Sequence, residues 1–193
     1  PLEHAEDFSE TLALMPHCYQ PNDDQRELGA PPNRKDVGLP ATGFVFCSFN
    51  QPYKITPETF SVWCGLLLAV PDSVLWIMAL FPDTQNNLKA EVQKYNIDPN
   101  RLIFAPPMLL TSHLGRLQLA DLALDTFPYT SHTTASDALW AGVPLVTKMG
   151  DTFASRVAAS ILNTMDLAEL VTTNDEDYFN AALSLARDSE KLA

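Results

Sequence analysis

From Gly43 onward the chain alternates short apolar runs with longer amphipathic ones. Phe44-Val45-Phe46-Cys47 is a continuous apolar run of strand length, and over residues 57–69 Phe60, Trp63 and Leu67 recur at helical spacing. Residues 74–78 read as a second strand and 84–95 as a second helix. Leu102-Ile103-Phe104 is a third strand, ended by Pro106-Pro107. A short helix at 111–117 and a fourth strand at 122–125 follow. Then come a helix from about Thr133, a strand at 145–147, a helix at 154–164, a short strand near Leu170-Val171 and a last helix from Asp175. Strands that are apolar at nearly every position must be covered on both faces, and their alternation with helices indicates a parallel sheet. The expected fold is α/β, a Rossmann-like parallel sheet with helices on both faces.

Before Gly43 the pattern is different. Residues 5–14 read as a short acidic helix stopped at Pro16, and Pro21, Pro31, Pro32 and Pro40 with Gly29 and Gly38 read as a linker.

In a parallel sheet of this kind, ligands bind outside the carboxyl ends of the strands. The turns after Cys47, Phe104, Asp125 and Thr147 are therefore the places for chemistry. After Asp125 comes His132-Thr133-Thr134-Ala135-Ser136-Asp137, then an apolar turn stopped at Gly142. A helix N-terminus offers unpaired N–H groups and a partial positive charge, which suits phosphate. Thr133 and Asp137 lie one turn apart on the same face. A hydroxyl at the phosphate end and an acid one turn further on suit a diphosphate and a ribose. The same hydroxyls would otherwise be ordinary helix caps, and the acid a simple partner of the helix dipole.

Four ordered segments carry a family resemblance: Phe46-Cys47-Ser48-Phe49-Asn50-Gln51-Pro52-Tyr53-Lys54-Ile55, Gln118-Leu119-Ala120-Asp121, His132 to Gly142, and Ala154-Ser155-Arg156-Val157-Ala158-Ala159-Ser160. In these the chain resembles the C-terminal half of the catalytic region of the O-GlcNAc transferases, two-domain glycosyltransferases of the GT-B type. The resemblance implies that 1–20 ends a preceding catalytic half, that 21–42 is a linker, and that 43–193 is the nucleotide-sugar-binding domain. It implies a donor, UDP-GlcNAc, whose sugar passes with inversion to a protein Ser or Thr hydroxyl, without a metal or other cofactor. The acceptor would be held by the other half and by a preceding helical-repeat array, so this piece by itself is expected to be inactive.

Residue by residue, the resemblance places Lys54 and Gln51 on the donor diphosphate, with Lys54 as the catalytic cation. His132, Thr133 and Thr134 also meet the diphosphate, and Asp137 takes the ribose. His113 packs on the base, with Arg116 nearby and the backbone around Met108 completing the base site. Leu110 departs from the pattern, standing where the best-known members carry a lysine near the base. That departure leaves open a relative using GDP-fucose or UDP-glucose; the other alternative is a GT-B-fold nucleotide-binding module inactive as isolated. By position alone Lys54 is a surface loop charge and His113 a surface or capping residue. Arg156 reads as a structural ion-pair residue, Lys148 as a possible neighbour of the site, and His17 is assigned no chemistry.

Composition narrows the classes. A net charge of −12 argues against nucleic acid, whose phosphates demand Lys and Arg. No apolar run reaches the length of a membrane span, so no membrane contact is expected. Cys18, Cys47 and Cys64 lack metal-ligand spacing and read as reduced thiols of a cytoplasmic protein. The chain begins without Met and is expected to be a piece of something longer. Asp175-Glu176-Asp177 spells the metal-binding triplet of another glycosyltransferase class but reads here as the acidic start of a helix. Glycine-rich dinucleotide, Walker and nucleophile-elbow motifs are absent from the sequence.

Overall fold

Six strands, all parallel, form one sheet in the order β3-β2-β1-β4-β5-β6 in the computed structural model, which describes residues 2–192. In chain order the elements are β1 (Val45–Ser48), α1 (Pro57–Ala69), β2 (Val74–Met78), α2 (Pro82–Lys94), β3 (Leu102–Ala105), α3 (Leu110–Leu117) and β4 (Leu122–Leu124). They continue as α4 (Thr133–Trp140), β5 (Leu145–Lys148), α5 (Val157–Thr164), β6 (Val171–Thr172), α6 (Asp175–Arg187) and α7 (Ser189–Leu192). This is the Rossmann-like α/β layer that the sequence pattern predicts.

The apolar strands work because alternate side chains enter two different cores. Val45, Cys47, Val74, Trp76, Ala123 and Leu145 join the core under α3 and α4. Phe46, Leu75, Ile77, Leu122, Leu124 and Val146 enter the one under α1 and α6. This is the period of two expected for a sheet buried on both faces. β1 pairs with β2 on one side (Val45 opposite Val74) and with β4 on the other (Phe46 opposite Leu122). The strand order reverses between β1 and β4, and their carboxyl ends flank the crevice where such sheets take ligands.

Several expected boundaries move. The helix expected over 5–14 is instead a 3-10 helix, Leu2–Asp7, followed by irregular chain with Leu14 and Met15 exposed. The segment buries too little apolar surface to stabilise a short helix, which is marginal in water by itself. The helix expected over 154–164 is split into a 3-10 turn, Phe153–Ser155, and α5, with Arg156 between them at φ −117° and ψ −8°. β4 stops at Leu124 because the Asp125 carboxylate takes up the backbone N–H of Thr126 and Ser131. Pro1 and Ala193, the ends of the expected segments, lie outside the described residues.

Residues 21–42 lie against the domain. Leu39 joins the core under α3 and α4. Gly29 donates its N–H to the Thr111 carbonyl at 3.3 Å and accepts from the Gln118 amide at 2.8 Å.

Candidate functional site

Two loops and two helix starts meet above β1 and β4. The first loop leaves β1 through Phe49 and Asn50 into a 3-10 turn, Pro52–Lys54. The second runs from Asp125 to Ser131 and ends at α4.

Asp125 and Asn50 build the floor. Asp125 is 1% exposed and accepts from the backbone N–H of Ser131 (2.6 Å) and Thr126 (2.8 Å) and from the Thr147 hydroxyl (2.6 Å). Burial raises its carboxyl pKa, and these donors oppose that rise. Asn50 donates to the hydroxyls of Ser131 (2.6 Å) and Thr126 (2.9 Å), while its carbonyl accepts from the Thr134 hydroxyl (2.7 Å). One buried amide thereby ties the β1 loop, the β4 loop and the first turn of α4 together.

The residue preceding α4 is His132, whose side chain does not cap the helix. The Thr134 hydroxyl is committed to Asn50, so it caps nothing either. Ala135 and Ser136 turn their N–H groups back to the His132 carbonyl. No side chain therefore caps the first-turn amides of Thr133 and Thr134, and an uncapped helix start attracts an anion.

Lys54 stands beside this helix start. Its ammonium donates to the Thr130 carbonyl at 3.1 Å and lies 3.7 Å from the centre of the Tyr129 ring. Partial burial lowers its pKa, and buried Asp125 opposes the change. Burial and the Lys54 charge likewise lower the pKa of His132, although the Ala154 carbonyl opposes them. Tyr19 joins the ring of His132 by a 2.9 Å hydrogen bond between its hydroxyl and Nδ1. Gln51 is exposed at the start of the 3-10 turn.

α3 supplies the other wall. The His113 ring meets the Phe49 ring edge-on at 5.0 Å. His113, Phe49, Ser131, Thr134 and Ala138 share one cleft. Arg116 is 2% exposed; its Nε donates to His113 Nδ1 (3.0 Å) and its Nη1 to the Pro106 carbonyl (2.6 Å). Burial, and then the Arg116 charge, bring the His113 pKa down to about 4, so the ring is neutral near pH 7. With Nδ1 accepting from Arg116, the ring proton sits on Nε2. Arg116 thus orients His113 from beneath. Met108 and Leu110 are exposed at the head of α3.

Asp137 is buried and held by Arg26 at 2.6 Å. Burial raises its pKa and Arg26 opposes the rise. The remaining candidates lie elsewhere: Lys148 pairs with Asp175 over the Phe127 ring, Arg156 donates to the Gly150 carbonyl, and His17 is exposed. The structure thus places His113 and Thr134 on one cleft, and Lys54 on the loop leading into α4 through its contact with the Thr130 carbonyl. It adds Asn50, Asp125 and Arg26, which the sequence reading passes over. Asn50 and Asp125 had a signal, since one lies inside a motif and the other directly after a strand. Arg26 had none.

Residues 27–193 match the family described as glycosyl transferase family 41. The chain is 37% identical over 199 residues to the probable UDP-N-acetylglucosamine–peptide N-acetylglucosaminyltransferase SEC of Arabidopsis thaliana, covering 100% of this chain and 20% of the relative. It is also 37% identical over 161 residues to the UDP-N-acetylglucosamine–peptide N-acetylglucosaminyltransferase of Caenorhabditis elegans, covering 83% and 14%. A solved mutant of the Thermobaculum terrenum O-GlcNAc transferase superposes with a TM-score of 0.88 at 34% identity, covering 100% of this chain and 36% of that one. The chain spans about a fifth or less of the length of these two curated relatives.

Proposed function

The chain belongs to glycosyl transferase family 41, and from that premise we propose that it is the donor-binding half of an inverting glycosyltransferase. The whole enzyme moves N-acetylglucosamine from UDP-GlcNAc to Ser and Thr hydroxyls of proteins. One observation carries the reading: the N-terminus of α4, uncapped by any side chain, stands beside the half-buried Lys54 ammonium.

When the glycosidic bond to the diphosphate breaks, negative charge grows on the leaving phosphate oxygens. Lys54 and the amides of Thr133 and Thr134 stabilise that charge, with His132 and Gln51 completing the diphosphate site. Because these dipoles and the cation are already in place, little reorganisation is needed as the charge develops. Asp137 accepts from the ribose hydroxyls. Neutral His113, oriented by Arg116, stacks on the base, and the Met108 backbone reads its edge. The leaving group is served by Lys54 and these amides without a metal.

The acceptor protein and the group that takes its proton belong to the rest of the longer enzyme, so this chain alone binds donor and transfers nothing. Among the described residues no helix is long and apolar enough to cross a membrane, and Cys18, Cys47 and Cys64 are unpaired. We place its work in the cytoplasm, where free thiols persist.

The test is calorimetric titration of UDP, UDP-GlcNAc and GDP into the wild type and Lys54→Ala. UDP should bind, and its affinity should fall about tenfold or more in the variant, as expected for loss of a charge-assisted contact. Wild-type-like binding by the variant would refute the role of Lys54. Half-exposed Leu110 supports a second reading, a donor with another base or sugar. Preference for GDP, or for UDP-glucose over UDP-GlcNAc, would decide for it.

A further inference from the structure

Arg26 comes from the segment that precedes the domain, yet it reaches the middle of α4. Its guanidinium and the Asp137 carboxylate retain 9% and 8% side-chain exposure, and Nη1 lies 2.6 Å from Oδ1. The guanidinium also sits 4.9 Å from the centre of the Trp140 ring, which fixes its plane. Asp137 Oδ2 has no partner among the described residues. A carboxylate offers roughly four acceptor directions, and this contact uses one. Resting on the donor site proposed above, we propose that Arg26 is a positioning residue. It holds Oδ1 of Asp137 so that the carboxylate stays ionised and Oδ2 is presented to a ribose hydroxyl.

The backbone around Arg26 is tied to the base-binding wall. Gly29 is hydrogen-bonded to Thr111 and Gln118, at the two ends of α3. A Cβ on Gly115 would lie 2.8 Å from the Ala30 carbonyl, so chain and helix approach as closely as glycine allows. Arg26 is thus anchored to the helix carrying His113 while it grips the helix carrying Asp137. It joins the base and ribose subsites mechanically. Without Arg26, a nearly buried carboxylate would lose its counter-charge and tend toward the protonated form, which accepts a ribose hydroxyl poorly.

The experiment measures equilibrium binding of UDP and 2′,3′-dideoxy-UDP to the intact wild-type protein, Arg26→Ala and Arg26→Lys. Comparing two ligands on one protein separates positioning from general loss of structure. The wild type should prefer UDP. Arg26→Ala should reduce that preference about tenfold, through weaker UDP binding with dideoxy-UDP unchanged. Arg26→Lys should restore most of it, since the contact is a single N–O pair. If Arg26→Ala fails to fold, Arg26→Gln, which keeps the stem against Trp140 without the charge, replaces it. Equal weakening of both ligands would make Arg26 merely structural, and tighter UDP binding would mean the segment obstructs the site; either overturns the inference, as does an unchanged preference. A wild type that binds both ligands alike removes the ribose role of Asp137 and the inference with it. One that binds neither refutes the donor site itself.

Discussion

His113 shows how a neighbour changes what a residue can do. Burial and Arg116 take its pKa to about 4, below the ordinary histidine value of about 6.5. Between those values the unfolded chain binds a proton that the native state refuses. Stability therefore rises with pH across that window and is lost as pH falls from about 6.5 to 4. The urea midpoint should decline over that range, and His113→Gln should flatten the decline. A second residue-scale expectation concerns Tyr178, whose hydroxyl accepts from Trp63 Nε1 at 3.2 Å and donates to the Asp125 carbonyl at 3.0 Å. Tyr178→Phe leaves a buried indole N–H without a partner and should cost about 1–3 kcal/mol in urea unfolding. Lys54 and Asp137 lie inside the motif segments, whereas His113 lies outside them and is singled out by the resemblance and by sharing a helix face with Arg116. Asn50 with Asp125 and Arg26 with Asp137 are partnerships across 75 and 111 residues, and no local pattern announces them.

At the scale of the element, helix starts were readable where a cap and a proline coincide. Thr56 accepts from the Thr59 N–H ahead of Pro57; α6 starts without a proline, on an Asn174 cap that accepts from the Asp177 N–H. The acidic triplet at 175–177 lies in that first turn, as its dipole reading expected. Where the reading failed, over 5–14, Phe8 and Leu14 remain exposed, so too little apolar surface docks to hold a helix. Close approach between α3 and the preceding segment gives a prediction at this scale. Gly115→Ala would press a methyl group against the Ala30 carbonyl and should cost about 1–3 kcal/mol, read as a lower thermal midpoint. The same variant should weaken UDP binding, because displacing the segment moves Arg26.

For the whole molecule, the order β3-β2-β1-β4-β5-β6 puts the reversal of the sheet between β1 and β4. The motif-bearing loops after those two strands consequently lie side by side. On the proposed reading, a transfer assay on this chain alone should show no glycosylation of a Ser- or Thr-containing peptide while UDP binding persists, since the chain matches only about a fifth or less of the length of its curated relatives. The sequence by itself determined the layered α/β class and the burial of its strands on both faces, and it pointed to the turns at the strands' carboxyl ends as the place to look for chemistry. Those follow from hydrophobic period and turn residues, which act over a few positions. Only the tertiary structure decided that Asn50 joins three elements, that Arg116 serves His113 from below, and that Arg26 closes on Asp137. Each depends on polar groups far apart in the chain finding one another in a low-dielectric interior, where an unpaired partner is costly and the pairing must be satisfied in three dimensions.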